Sequence, residues 1–325
     1  MFYLGIDVSK AKLDCALFDS STSKQKCKVV SNDPDGFAKL LDWLAKQKVE
    51  AVHVIMEPTG VYHEPAALAL TDAGIRLSLV NPAQLRNFAK GLGVKTKTDK
   101  ADSSVLARFG ATQNPELWQP PSIAARTLKA LLARRDVLAE HLQREHNRRE
   151  MIQFSEVPAP VQQSIAASIE FLTGELARLD QQIQSHIDDD PDLRGKKDLL
   201  ETIPGVGPRV ALNMTALLAA RHFERAEQLA AYLGLVPVQW ESGTSVSARP
   251  RMSKAGPSHL RKLLYMPAVV AIRANPHIKA LYERLLIRGK PKMAAIGAAM
   301  RKLAHLCFGV VHTGKPYDAK LMHPA

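Results

Sequence analysis

The stretch YLGIDVSKAKLDCALFDSSTSKQKCKVV, residues 3–30, decides the fold of the first part of the chain. Its apolar and β-branched residues cluster at 3–7, 13–18 and 26–30, and polar segments separate these clusters. Short apolar runs bounded by turn residues are typical of strands. The pattern therefore predicts three consecutive antiparallel strands, the first of which ends on Asp7.

Helices and two further strands are predicted to follow this meander. Asp33-Pro34 and Asn81-Pro82 each place a capping side chain before a proline, which is how many helices begin. The predicted order is a helix to about residue 47, a strand at 51–56, a helix at 64–73, a strand at 76–80, a helix from 82 and a helix from 98 or 99 to 112. Such a βββαβαβα order indicates a mixed sheet covered by helices, hence an α/β domain.

The rest of the chain is predicted to be all-α. A proline-containing linker at 114–122 precedes two long amphipathic helices, 123–153 and 161–187, which are expected to form an antiparallel hairpin of the coiled-coil type. Helices are then predicted near 208–220, 257–274 and 292–308, with an irregular segment at 235–244 and a loosely ordered tail after 313. The predicted domains are 1–113, 114–192 and 193–325.

Composition excludes several classes of protein. The 325 residues include three widely spaced cysteines, which argues against disulfides or a thiolate metal site and suits a reducing cytosol. No apolar run approaches the roughly 18–20 residues of a membrane helix, and the N-terminus has no basic lead-in to an apolar core. We therefore expect a cytoplasmic protein that does not associate with membranes.

Positive charge is concentrated late in the chain. The formal net charge is +12, and residues 249–302 alone carry 13 basic residues and one acidic residue, Glu283. An excess of positive charge spread evenly along the chain would be explained by a solvated basic surface. Concentration of this kind favours a polyanionic partner instead.

Four carboxylates are spaced as in a two-metal site. Asp7 and Glu57 each end a predicted strand, and Asp99 and Asp102 share one face at a helix start. In an RNase H/RuvC-like sheet the first and fourth strands are neighbours, so the four side chains would converge. Two Mg²⁺ ions, or Mn²⁺, would relieve their repulsion and stabilise the attacking and leaving oxygens of phosphoryl transfer.

Simpler roles exist for these residues. A single aspartate after a strand is usually a turn former, and Asp99 could only cap its helix. Sugar kinases and actin-like ATPases also open with Gly-Ile-Asp, but glycines for phosphate binding follow there, and none follows Asp7. The lysines around Asp99 would either be solvated or contact nucleic-acid phosphates; they are Lys95, Lys97 and Lys100.

Residues 203–208, IPGVGP, have the form of a helix-hairpin-helix turn. Gly205 and Gly207 would let the backbone approach a phosphate, free amides at the next helix start would bind it, and Arg209 would assist. A plain helix–helix turn is the alternative. Such contacts position a duplex without reading its sequence.

A serine-rich segment leads into the basic region. Ser242, followed by Gly243, is the candidate nucleophile, and Ser245 and Ser247 lie close enough to compete with it. On composition alone these serines could be loop residues. The cations that could hold a phosphate beside them are Arg249, Arg251, Lys254, Arg261 and Lys262.

As an ordered set, these motifs resemble, nearly from end to end, the DEDD-type transposases of bacterial insertion sequences that carry a second, serine-bearing domain. These enzymes are RNA-guided and are often called bridge-RNA recombinases. The resemblance rests on the carboxylates Asp7, Glu57, Asp99 and Asp102, the 204–208 hairpin, the 234–237 turn, Ser242-Gly243, the 253–256 segment and residues 261–265.

The resemblance implies an activity and its partners. The serine would attack a scissile phosphate and keep the bond energy in a phosphoserine link, so that no ATP is needed. A structured RNA encoded by the element would pair with donor and target DNA and set specificity. The protein would act on the nucleoid as a homo-oligomer, a dimer or tetramer, held by the helical hairpin, with composite sites built from different subunits.

Two other functions fit parts of the pattern. A metal-dependent, structure-specific nuclease, such as a junction resolvase, would need only the acidic domain. A non-catalytic nucleic-acid-binding protein would use the carboxylates as helix and turn caps.

Overall fold

The structure is a computed structural model that describes residues 1–47, 49, 51–93, 98–242 and 246–320, without the side chains of 240–242 and 246–249. The chain divides into two compact units, Met1–Pro120 and Pro121–Ala325. The predicted middle segment, 114–192, is not separated in this division, since its two long helices belong to the second unit.

The first unit is built on a five-stranded mixed sheet. Its strands are β1 (Phe2–Val8), β2 (Lys12–Asp19), β3 (Gln25–Ser31), β4 (Val52–Met56) and β5 (Arg76–Leu79). Their spatial order is β3-β2-β1-β4-β5, with antiparallel pairing from β3 to β1 and parallel pairing from β1 to β5. The predicted mixed sheet is confirmed, and its first and fourth strands are neighbours.

Four helices cover this sheet. They are α1 (Pro34–Lys46), α2 (Glu64–Asp72), α3 (Pro82–Gly91) and α4 (Asp99–Gln113). Alternate strand residues point to opposite faces. Leu4 and Ile6 pack on one face with residues of α1 and α2, whereas Tyr3 packs on the other face with Leu106 of α4.

Two glycines let α4 lie directly against the sheet. A Cβ atom at Gly5 of β1 would lie 2.0 Å from the carbonyl oxygen of Ser103 in α4. A Cβ at Gly110 of α4 would lie 2.2 Å from Cδ1 of Ile55 in β4. Any larger residue at either position would push the helix away from the strands that carry the predicted acidic residues.

Among its described residues, the second unit is helical apart from one pair of strands. Its long helices α5 (Ile123–Met151) and α6 (Ala159–Asp189) form the predicted antiparallel hairpin, and Arg135 binds Asp180 across it. The remaining helices are α7 (Pro191–Glu201), α8 (Pro208–Ala220), α9 (Ala226–Tyr232), α10 (Ser258–Ala274), α11 (Pro276–Ile287) and α12 (Lys292–Thr313). The base of the hairpin shares an apolar cluster with α7 and α8.

Helix α12 is the centre of the C-terminal core. By length and composition it could cross a membrane, which the sequence analysis did not anticipate. Its buried residues, among them Leu303, Leu306 and Cys307, pack with side chains of α8 and α10. Among the described residues it is the one helix that passes this test, and its packing is that of a core helix.

Three expectations about the second unit are wrong. Part of the segment predicted as irregular, 235–244, forms strand β6 (Pro237–Ser242), which pairs with β7 (Val246–Met252). Helix α7 begins at Pro191, earlier than the helical pattern that the sequence indicates from residue 199, and helix α11 was not predicted. The described part of the tail, to residue 320, is anchored, since the Tyr317 hydroxyl donates to Asn275 Oδ1 at 3.1 Å.

Candidate functional site

Asp7 and Glu57 lie side by side at the ends of two parallel strands. Ile6 of β1 pairs with Met56 of β4, so the next residue of each strand continues the same register. Side chains alternate between the two faces of a sheet, so both residues lie on the same face as Tyr3 and Gly5, which face α4. The sheet therefore directs both carboxylates toward the start of that helix.

Asp99 and Asp102 occupy the first turn of α4. The Thr98 hydroxyl caps the helix by accepting a hydrogen bond from the Ala101 amide at 3.2 Å. Gly5 then allows the turn that contains Ser103 to touch β1. The cap and the close approach together place Asp102 near Asp7.

The four predicted carboxylates share one electrostatic neighbourhood. Burial and, after it, the charges of Asp102, Asp99, Asp14 and Glu57 raise the pKa of Asp7 from 3.8 to about 6. Each of these charges disfavours ionisation of Asp7, because like charges near a carboxylate raise its pKa. The sheet and α4 thus assemble an acidic centre around Asp7.

Lys12 supplies one positive charge to this centre. Its Nζ donates to Asp99 Oδ2 at 2.8 Å and lies 2.9 Å from Asp14 Oδ2. This contact lowers the pKa of Asp99 and, together with Asp14, raises the pKa of Lys12. The ammonium thereby joins the start of α4 to strand β2.

The chemistry of the acidic centre fits a hard divalent cation. All of its anionic donors are carboxylate oxygens, the ligands that Mg²⁺ and Mn²⁺ prefer. The Lys12 ammonium already bridges two of these carboxylates, Asp14 and Asp99. Within the described ranges, no three His, Cys, Asp or Glu side chains are already arranged as a metal cluster. A metal would therefore have to draw the carboxylates closer.

The predicted basic residues near Asp99 are only partly described. Lys100 is exposed in the first turn of α4, where its carbonyl accepts a hydrogen bond from the Ser104 hydroxyl at 2.7 Å. Lys95 and Lys97 lie outside the described residues.

The 203–208 turn joins α7 to α8, and its residues have differing roles. A Cβ at Gly205, whose φ is +101°, would lie 2.6 Å from Cβ of Ala271 in α10, so packing against α10 requires this glycine. Gly207 faces open space and caps α8 without a side chain. The Arg209 guanidinium binds Asp136 of α5 at 3.0 Å.

Ser242 is the last residue of strand β6. Its backbone pairs with Val246 across the two-stranded ribbon of β6 and β7, in which Glu241 pairs with Ser247. Its side chain, that of Arg249 and residue Ser245 lie outside the described residues. Arg251 is exposed on β7, and Met252 at the end of that strand packs in the C-terminal core.

The base of this ribbon is a tight crossing of two chain segments. Gly234 and Gly256 both have positive φ, and a Cβ on either would lie about 2 Å from a backbone carbonyl oxygen of the other segment. Lys254, exposed with φ of +56°, donates its amide to the Gly234 carbonyl at 3.1 Å. The predicted motifs at 234–237 and 253–256 thus form one structural unit.

Arg261 secures that crossing. Its Nη1 donates to the carbonyls of Leu233 and Ala255, each at 3.1 Å. This engagement favours a structural role over the predicted contact with nucleic acid, whereas its neighbour Lys262 is exposed.

Comparison with known proteins identifies the family. A DEDD-type transposase model matches residues 4–152, and a model described as "Transposase IS116/IS110/IS902 family" matches residues 197–283. Pilin gene-inverting proteins of Moraxella lacunata and Moraxella bovis are each 33% identical over 323 residues, which cover 98% of this chain and 98% of the relative. The chain belongs to the IS116/IS110/IS902 family of transposases.

A more distant relative is a 43.6 kDa protein of insertion element IS110 from Streptomyces coelicolor, 26% identical over 159 residues, or 49% of this chain and 38% of that protein. The transposase is accordingly a DNA transposase or recombinase, with DNA as its substrate. The first matched range contains the whole acidic centre, and the second contains the 203–208 turn and the ribbon.

Sequence reasoning missed two residues of the transposase's acidic centre, Lys12 and Asp14. The β1–β2 hairpin pairs Asp7 with Asp14, so the two side chains lie on the same face of the sheet, and Asp14 is buried. A tight hairpin centred between residues 10 and 11 makes positions 7 and 14 partners. That symmetry was the available signal.

Proposed function

We propose that this transposase recombines two DNA sites through a phosphoserine intermediate formed by Ser242, with divalent cations held by Asp7, Glu57, Asp99 and Asp102. The observation that carries the proposal is the convergence of these carboxylates around Asp7 on the sheet. Supporting it, a separate unit of the same chain presents a serine at the end of a ribbon bordered by basic residues.

The acidic residues would hold Mg²⁺, or Mn²⁺, through their carboxylate oxygens. When bound, such ions supply electrostatic stabilisation of the oxygens that enter and leave phosphorus. The protein's own contribution is to hold Asp7 on β1, to place Glu57 directly after β4, and to place Asp102 through the close contact of α4 with Gly5.

The serine step conserves the phosphoester bond. The Ser242 Oγ–P bond forms as the P–O bond to one deoxyribose breaks, the hydroxyl proton passes to solvent and the departing oxygen ends as a hydroxyl. Attack by a hydroxyl of another strand then reverses the step and releases the serine. Bonds formed and broken balance, so ATP is not required.

Recombination is favoured over simple cleavage by the relatives. Two proteins that match this chain over nearly its full length are named pilin gene-inverting proteins. Inversion requires strands to be cut and rejoined, which a nuclease alone does not do. We therefore place the junction-resolvase-like nuclease second, and a non-catalytic DNA-binding role third.

Three further features of the proposal concern partners. A structured RNA encoded by the element would pair with donor and target DNA and set specificity. The chain would work on the bacterial nucleoid as a homo-oligomer, either a dimer or a tetramer. The exposed apolar side chains of the helical hairpin, Phe154 and Phe171 among them, offer a surface for such self-association.

The direct test is to trap the protein–DNA adduct with a two-site DNA substrate, Mg²⁺ and the element's non-coding RNA. Ser242→Ala should abolish both the adduct and strand exchange, because alanine has no hydroxyl group that could form the phosphoester. Ser247→Ala is the matched control and should retain both. An adduct that persists in Ser242→Ala and disappears in Ser247→Ala would identify Ser247, and not Ser242, as the nucleophile.

Asp102→Asn tests the acidic centre separately. Strand exchange should fall at least a hundredfold, since removing one group that stabilises the transition state has effects of about this size, while the thermal unfolding temperature should not decrease. Free 5′-phosphate ends without any adduct in the wild-type reaction would favour the nuclease. Unchanged exchange in Asp102→Asn would refute the metal assignment.

A further inference from the structure

Lys12 lies in the acidic centre but has no role in the proposed reaction. Its ammonium bridges Asp99 at the start of α4 and Asp14 on β2, at 2.8 and 2.9 Å. We infer that Lys12 is an intramolecular counter-ion that competes with the divalent cation for Asp99 and transfers to Asp14 alone when the metal binds. This inference rests on the proposed metal site.

The two carboxylates that Lys12 contacts differ in their surroundings. The Asp14 side chain is 11% exposed, whereas the Asp99 side chain is 55% exposed. Asp14 also lies in the middle of the sheet, paired with Asp7 on one side and Val29 on the other. Asp14 is therefore the fixed partner of Lys12, and Asp99 is the partner that is free to change.

The backbone of Lys12 is held firmly. Its carbonyl accepts hydrogen bonds from the Ser9 amide at 3.0 Å and the Ser9 hydroxyl at 2.9 Å, and its amide donates to the same hydroxyl at 3.2 Å. Only the flexible side chain of Lys12 has to move for the exchange, over a path of one or two rotamer changes.

Charge gives the direction of the effect. The five carboxylates in this neighbourhood are Asp7, Asp14, Glu57, Asp99 and Asp102. The Lys12 ammonium forms an ion pair with two of them, Asp14 and Asp99. A divalent cation must therefore displace an existing ion pair to reach Asp99, which weakens its apparent binding.

The test is a titration of the full-length, metal-free protein with Mn²⁺, followed by electron paramagnetic resonance of the free ion. Lys12→Met removes the charge but keeps an unbranched side chain, so the apparent dissociation constant should fall about tenfold. Lys12→Arg keeps the charge and should stay within about twofold of wild type. Unchanged or weaker Mn²⁺ binding in Lys12→Met would overturn the inference.

A second measurement tests the same exchange from the side of Asp14. Asp14→Asn leaves Lys12 with Asp99 as its remaining partner in this bridge, so competition becomes stronger and Mn²⁺ binding should weaken about threefold or more. In Lys12→Met this effect of Asp14→Asn should largely vanish. Equal effects of Asp14→Asn in both backgrounds would overturn the inference, because Asp14 would then act independently of Lys12.

Asp7→Asn separates this inference from the proposed function. If wild type binds Mn²⁺ and Asp7→Asn does not, the metal site stands and the Lys12 variants test the counter-ion role alone. If wild type and Asp7→Asn bind Mn²⁺ equally, the proposed metal site fails, and the inference about Lys12 fails with it.

Discussion

The acidic centre and the serine ribbon are built in opposite ways. Asp7 and Asp14 stand on central strands of a five-stranded sheet whose two faces are covered by apolar clusters. Ser242 ends a strand that pairs, among the described residues, with β7 alone. An isolated pair of strands has little stability of its own, so the ribbon depends on its base.

Each region consequently relies on a different kind of contact. The acidic centre depends on close packing, because Gly5 lets the backbone of α4 touch β1. The base of the ribbon also needs close approach, at Gly234 and Gly256, but it depends in addition on the hydrogen bonds that Arg261 donates. The comparison predicts that an added methyl group at Gly5 damages the first region, and that loss of the Arg261 hydrogen bonds damages the second.

Gly5→Ala should have the largest effect on stability. The new methyl group would overlap backbone atoms that cannot rotate away, so we expect a loss of about 3 kcal/mol or more in the free energy of unfolding. Chemical denaturation followed by circular dichroism measures it. Gly91→Ala, at a position in the same unit with open space around it, should change stability by less than about 1 kcal/mol. Equal effects would mean that packing at Gly5 is not special.

Arg261→Met should come next. It removes two charged hydrogen bonds and leaves the carbonyls of Leu233 and Ala255 without this donor, which costs about 2 kcal/mol. Limited proteolysis should then cut near the ribbon, and adduct formation should fall while Mn²⁺ binding by the first unit is retained. Lys262→Met, at the exposed neighbouring position, is the control and should preserve stability. A stable Arg261→Met with weakened DNA binding would restore the predicted role in binding nucleic acid.

Asp7→Asn should stabilise the metal-free protein. Because the folded pKa of about 6 exceeds 3.8, the folded state binds a proton that the unfolded chain releases, so wild-type stability falls as pH rises from about 4 to 6. Above pH 6 the variant should be more stable by about 1 kcal/mol, a value reduced for the partial exposure of Asp7. The difference should vanish below pH 4. A difference independent of pH would contradict the electrostatic origin.

Arg209→Ala should have the smallest effect on folding, about 0.5 kcal/mol or less, because its ion pair with Asp136 is solvent-exposed. If Arg209 contacts a phosphate, DNA affinity should fall uniformly across sequences and the salt dependence should decrease by about one ion. Asp136→Asn frees Arg209 and should not reduce affinity. If Arg209→Ala leaves the affinity for DNA unchanged, Arg209 does not contact a phosphate and serves only in its ion pair with Asp136.

Much of the fold follows from one local signal. Four helices begin with an Asp or Asn whose side chain accepts from backbone amides just inside the helix, followed by proline. The signal predicts helix starts at Asp33-Pro34 and Asn81-Pro82, and the same residue pair recurs at Asp190-Pro191 and Asn275-Pro276. The starts of α7 and α11 were therefore predictable from the sequence.

The serine ribbon was not predictable in the same way. Pro237 opens β6 and Pro250 lies inside β7, and proline within a strand normally argues against that assignment. Its formation depends instead on contacts distant in sequence, such as Arg261 with Leu233. The acidic centre lies between these extremes. Strand ends predicted Asp7 and Glu57, and a helix start predicted Asp99 and Asp102, whereas Asp14 required the hairpin register.

The anchored tail limits how the end of the chain can be altered. Tyr317 donates its amide to the Thr202 hydroxyl and its own hydroxyl to Asn275, the residue that caps α11. Asn275 is fully buried, so a truncation before Tyr317 would remove one polar partner from an interior cap. Fusion partners and affinity tags at this terminus should therefore be attached beyond residue 320, after a flexible spacer.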